Sequence, residues 1–186
     1  HINAMDMEQG YGDTEGKREN PLILKTQFVM SLCEQVMDSE QITAQQKSLI
    51  ARCVQNIYAD YMKNDYQGKV PTLKDFLKEL KSQPEEQAQD IALAIELYAD
   101  GTLDVFAHET NVNLHNRFTV FDVHELTNQM KAVGMLVMLD AIFNRVIANH
   151  KKGKRTWVYV DEIYLFFTNQ YSSTFLEESW KRFRKK

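Results

Sequence analysis

The chain has 186 residues, 44% of them hydrophobic and 26% charged, which excludes a disordered or fibrous polypeptide and suits one large domain or a domain with a subdomain. Only 3 prolines and 7 glycines interrupt it, so turns are few and long elements, helices above all, are expected. The net charge of −4 excludes a wholly basic nucleic-acid binder, but residues 151–186 carry nine Lys/Arg against four Asp/Glu, so this end could face phosphate or form a solvated last helix.

Residues 6–20, "DMEQGYGDTEGKREN", are acidic and without period, as in a loop. From Pro21 an amphipathic helix is expected, because Phe28/Val29, Leu32/Cys33 and Val36/Met37 recur at helical spacing. A second helix starts at "TAQQ", where Thr43 and Gln46 have capping-box spacing, and carries Leu49/Ile50, Cys53/Val54, Ile57/Tyr58 and Tyr61/Met62 on one stripe. Thr72 caps a third, with Leu73, Phe76, Leu77 and Leu80 on one face. A fourth is expected from "SQPEE", with Ser82 as cap, Pro84 in the first turn and Glu85 closing the box, and Gly101 as its left-handed stop.

The period then changes. "RFTVFDV" (117–123) is short and dense in β-branched and aromatic residues, as in a buried strand. A long helix should follow from "ELTNQM" to the lysines before Gly153. Its apolar run 132–143 is too short for a bilayer and contains Asp140, which pairs with Arg145 or sits as a satisfied polar residue in the core. "TWVYVDE" reads as a second buried strand, and "STFLEESWKRFRKK" as a last helix. Strand, long helix and strand make a βαβ unit with parallel strands. The expected fold is therefore α/β over residues 101–186, joined to an all-helical subdomain of about four helices over residues 21–100 and preceded by a loop at 1–20.

Several chemistries find no support. Cys33 and Cys53 fall on apolar helix positions, as small buried thiols in a reducing compartment do. The five histidines stand at no metal-ligand spacing with a cysteine or an acid pair. The polar, acidic N-terminus has no signal-peptide pattern. The chain opens on His1 and closes on "KRFRKK", and both ends read as cuts in something larger.

The chemical signal is "WVYVDE", an apolar run ending in Asp161 and Glu162. Ligands of parallel sheets bind beyond the carboxyl ends of the strands. Adjacent acids there suit a Walker B pair, in which the first carboxylate holds magnesium and the second orients or deprotonates the attacking water. The same acids could instead cap the following segment or pair with Lys/Arg. A Walker B pair needs a phosphate-binding G-x-x-x-x-G-K-[ST] loop. In "GYGDTEGKR" (10–18), Gly10 is one residue too early and Gly12 one too late, and Arg18 stands where Ser/Thr should bind magnesium. No Walker A loop lies in this chain, so it would lie upstream of His1.

The run "DVFAHETNVNLHNRFTVFDVHEL" (104–126), the long helix and "RTWVYVDEIYLFF" together resemble the conjugative type IV secretion ATPases of Gram-positive mobile elements, P-loop motors of the FtsK–HerA superfamily. "HINAMD" is similar to the family's "INPMD" stretch, which follows a core strand, with Ala4 in place of the proline. The resemblance spans nearly the whole chain and is strongest from 101 to 186. It implies a partial P-loop core with residues 21–100 as a helical insertion. Asp161 would be the magnesium acid and Glu162 the catalytic carboxylate, acting on ATP and Mg2+ bound by the full-length protein and not by this fragment, which would be inactive alone. It also implies a cytoplasmic ATPase at the inner face of the membrane, powering DNA transfer or apparatus assembly. Its partners would be the rest of its own ATPase domain, further copies of itself, secretion-channel proteins and DNA. Arg182 or Arg184 could complete a neighbouring subunit's site, or could belong to a basic solvated helix end. A competing reading makes the helical part an interaction module for a partner protein or DNA.

Overall fold

The computed structural model of the chain describes residues 1–8, 10–13, 20–37, 42–114, 116–161, 163–167, 173–174, 176–177 and 180–181. Among the described residues, five continuous α-helices run in chain order: α1 Pro21–Met37, α2 Ala44–Lys63, α3 Leu73–Ser82, α4 Glu86–Ala99 and α5 Asn128–Lys151. Two short 3-10 turns, Asp104–Phe106 and Ile163–Phe167, follow α4 and the second apolar run.

Helices α1 to α4 form one body because each turns its apolar stripe inward. Phe28 and Leu32 of α1, Ile50 and Tyr58 of α2, Phe76 and Leu80 of α3, and Ile91 and Ile95 of α4 are all buried in a common core. Each such side chain contributes about 1.5–3 kcal/mol on burial. The start of α2 is the expected capping box: the Gln46 amide donates to Thr43 Oγ1 at 3.2 Å and the Thr43 amide to Gln46 Oε1 at 2.8 Å. At α3 the Thr72 amide and hydroxyl both donate to Asp75 Oδ2, at 2.8 and 2.9 Å. Orphan donors of the first turn are satisfied in this way.

The junction of α3 and α4 departs from expectation. Ser82 is the last residue of α3 and its hydroxyl donates to the Glu79 carbonyl at 2.7 Å, so it caps nothing downstream. Glu85 is the N-cap of α4. Gly101 is not left-handed either. It is small for a different reason: a Cβ there would lie 2.8 Å from the Leu97 Cα and carbonyl oxygen.

An N-terminal strap, residues 1–8 and 10–13, lies across the body instead of away from it. Ala4, Met5, Met7 and Tyr11 are buried. The Ala4 amide donates to the Phe106 carbonyl at 3.0 Å, Asn3 Nδ2 donates to the Pro71 carbonyl at 2.9 Å, and the Tyr58 hydroxyl donates to the Met5 carbonyl. Gly10 and Gly12 both have positive φ, +82° and +73°, which turns the chain so that Tyr11 enters the core between them. These are the glycines whose spacing fails as a phosphate loop.

Helix α5 starts at Thr127, whose hydroxyl accepts from the Met130 amide. It ends in a Schellman turn: the Gly153 amide donates to the His150 carbonyl at 2.9 Å, the Lys154 amide to Asn149 at 2.9 Å, and Gly153 has φ +66°. Although its apolar run 132–143 is too short for a bilayer, α5 as a whole is long and apolar enough to cross a membrane, a test that a buried core helix passes equally. It packs on α1 and the strap, burying Val133, Leu136, Val137 and Asp140.

The expected α/β core is corrected by the structure. Among the described residues there is no strand and no sheet, so the βαβ unit with parallel strands does not form here. Residues 117–123 and 154–160 lack helical structure, but no ladder joins them; Phe118, Val120 and Trp157 to Val160 are exposed, Phe118 at 84% and Tyr159 at 89%, and Phe121 and Val123 are half-buried. A dense apolar run is read as a buried strand because burial on both faces usually accompanies it. Runs of this kind become strands only where a second backbone meets their N–H and C=O groups. The last-helix reading falls largely on residues outside those described; residues 173–174, 176–177 and 180–181 are helical.

Candidate functional site

The acid-bearing segment leaves α5 through the Schellman turn. Asn149 Nδ2 donates to Thr156 Oγ1 at 2.9 Å, tying the last turn of α5 to the start of the following arm. Lys152, Lys154 and Arg155 are exposed at its root. Trp157 and Tyr159 are 77% and 89% exposed, and Val158 and Val160 are exposed as well. Asp161 is exposed at the far end of the arm, two positions before the 3-10 turn Ile163–Phe167, in which Ile163, Tyr164 and Phe167 are also exposed. Glu162, Arg182 and Arg184 lie outside the described residues.

Asp161 places a hard oxygen donor on the exposed end of the arm. Such a donor suits magnesium, which takes one or two carboxylates and keeps several waters. Among the described residues no group of three or more His, Cys, Asp and Glu stands together as a metal cage. The apolar arm around Asp161 is a contiguous exposed patch, of the kind that marks a surface of interaction.

The other residue flagged from sequence, Asp140, lies elsewhere. Asp140 accepts from Lys25 Nζ at 2.9 Å and from the Tyr11 hydroxyl at 2.5 Å. Lys25 is fully buried, and its ammonium also donates to the Ala4 carbonyl at 3.1 Å. Of the two sequence readings, a pair with Arg145 or a satisfied polar residue in the core, the structure fits the second, through Lys25, 115 positions away. Burial, and then the neighbouring Asp140, push the Tyr11 and Tyr58 phenols up. Burial likewise raises Asp6, against the lowering effect of the Thr110 hydroxyl that donates to it. Cys33 and Cys53 are buried free thiols, as expected, with burial pushing Cys33 up strongly and Cys53 to about 11. Both are poor nucleophiles for that reason.

Lys25 went unflagged in the sequence, yet a signal was present. It sits three and four residues before Phe28 and Val29, on the buried stripe of α1, where a lysine is out of place unless paired. Asp140 is the matching charge out of place on α5.

No protein-family profile matches the chain, and no curated protein matches it in sequence. Among solved structures it superimposes on VirB4 of Thermoanaerobacter pseudethanolicus with a TM-score of 0.77, over 99% of this chain and 72% of that one. The chain has a VirB4-like fold. Identity over the match is 20%, so the likeness to VirB4 is one of architecture, and it takes in the helical body, the strap and α5 together.

Proposed function

We propose that this chain is part of a type IV secretion ATPase and supplies the Walker B half of its site. The observation that carries this reading is the VirB4-like fold over 99% of the chain. The apolar arm ending in Asp161 and Glu162 supports it from the sequence side. In this reading Asp161 holds magnesium through water and Glu162 orients and deprotonates the water that attacks the γ-phosphate. Magnesium, when bound, neutralises charge on the phosphates of ATP. Phosphate cradling comes from a Walker A loop carried by another part of the protein. The exposed Trp157–Val160 run is the face that meets the rest of that ATPase. The whole protein works in the cytoplasm at the inner face of the membrane, as an oligomer with secretion-channel proteins, in conjugative DNA transfer or assembly of the apparatus.

The test uses a longer protein that joins this chain to a Walker A loop. It should hydrolyse ATP with magnesium, and Glu162→Gln should lower turnover by about 10²–10⁴-fold while nucleotide binding persists. Normal turnover in the Glu162→Gln protein would remove Glu162 from the role of base.

A second reading, that α1 to α4 form an interaction module for a partner, has its own observation: Leu93 and Leu97 are exposed one turn apart on α4. Leu93→Asp with Leu97→Asp should then abolish partner capture without changing ATP hydrolysis.

A further inference from the structure

Helix α5 has an apolar surface that leaves its roll weakly specified. Between Lys131 and Arg145, Asp140 is its one charged residue. Its buried side chains point to more than one face: Val133, Leu136 and Val137 join the main core, whereas Met135 and Leu139 are buried outside it. A cylinder apolar on several faces can exchange one for another at small cost, since volume-conserving apolar swaps are tolerated. A buried ion pair cannot be exchanged this way, because a wrong roll strands a charge.

At Asp140 three elements meet on one carboxylate. Lys25 Nζ of α1 donates to Oδ2 at 2.9 Å, and the Tyr11 hydroxyl of the strap donates to Oδ1 at 2.5 Å. The same ammonium donates to the Ala4 carbonyl at 3.1 Å and lies 4.8 and 4.5 Å from the Tyr11 and Phe28 ring centroids. About three helical turns further on, Lys151 Nζ donates to the Gly10 carbonyl at 3.2 Å and to Asp13 Oδ2 at 2.7 Å. The strap thus grips α5 at two heights. From the upper grip the Schellman turn and the Asn149–Thr156 bond carry the direction of α5 into the arm.

We infer that Lys25, Asp140 and Tyr11 form a positioning latch that sets the roll of α5 and with it the direction in which the arm presents Asp161. The consequence for ATP hydrolysis rests on the reading of Asp161 and Glu162 given above; the consequence for geometry does not. Folding and position separate in the variant Lys25→Met/Asp140→Leu. It removes both charges, a replacement that buried ion pairs commonly tolerate, although it also takes the acceptor from the buried Tyr11 hydroxyl and the donor from the Ala4 carbonyl.

The deciding measurement is the distance distribution between spin labels at Gln87→Cys on α4 and Tyr159→Cys on the arm, both exposed. The native thiols are buried and resist labelling. The wild-type chain should give one narrow peak. The double variant should stay folded and melt in one transition below wild type, and give a broadened or shifted distribution. In the longer ATPase it should lose about 10²-fold in kcat, with the KM for ATP unchanged. Tyr11→Phe, which removes one hydroxyl, should broaden the distribution in the same sense and serves if the double variant fails to fold. A wild-type distribution in the variant that folds overturns the latch. A broadened distribution alongside a wild-type longer protein that hydrolyses no ATP supports the latch and sinks the ATPase reading instead.

Discussion

The helical body and the arm that follows α5 are both apolar, yet they stand in opposite states. In the body, apolar residues recur every three or four positions, so each helix presents one stripe and four stripes close on a shared core. In the arm, Trp157 to Val160 are consecutive, and all four are exposed. A helix satisfies its own backbone hydrogen bonds and asks its neighbours only for apolar contact. An extended run asks for both. Apolar content therefore does not tell which part of a chain is complete; the period in which it is arranged does.

Truncation should separate the two regions most sharply. Phe76→Ala in the body should cost about 3–5 kcal/mol. Lys25→Met alone should cost a similar 3–5 kcal/mol, by leaving the Asp140 carboxylate buried without its cation. Both are read from the urea midpoint, and a loss below 1 kcal/mol in either would mean that the body relaxes around the change far more easily than its packing indicates. Gly12→Ala should cost about 1–3 kcal/mol, since φ is +73° and the new Cβ would lie 1.9 Å from Leu24 Cδ1. Wild-type stability of this variant would show that the strap turn can be rebuilt without its glycine.

Smaller effects sharpen the same contrast. Thr43→Ala removes half of the α2 capping box and should cost about 1 kcal/mol. Above pH 10, the folded chain keeps the Tyr11 and Tyr58 protons that the unfolded chain releases, because burial raises both phenols above their ordinary value near 10. Their contribution is complete below pH 10 and declines as pH rises past it. Tyr58→Phe should flatten that decline in an alkaline unfolding series; an unchanged slope would assign the decline to other groups. Tyr159→Ala in the arm should stay within about 0.5 kcal/mol of wild type. A large loss there would mean that the arm is packed after all and that the contrast with the body is false.

Much of the body was legible from residue spacing. The stripes of α1 to α3, the caps at Thr43 and Thr72, and the Gly153 stop are local features, decided within a few residues of one another. The α3–α4 junction differs from its capping pattern by three residues: Ser82 still belongs to α3, bonding back to Glu79, and Glu85 stands at the N-cap of α4 instead of closing a box from Ser82. Asp140 was legible as a charge out of place but its partner was not, since Arg145 is near in sequence and Lys25 only in space. Of the candidate site, the chemistry of the acid pair was legible and its setting was not. The parallel strands expected around it are absent among the described residues, and Glu162 lies outside them.

What the sequence determined by itself is what short-range physics decides: helix positions, their buried faces, and an acid pair at the end of an apolar run. Periodicity and capping act over one to four residues, so they can be read without knowing what lies across the core. The tertiary structure decided the rest. It laid the glycine-bearing strap over the helices, joined Tyr11 and Lys25 to Asp140, and left the arm exposed, because burial, charge pairing and strand partnership depend on which distant segments arrive at the same place.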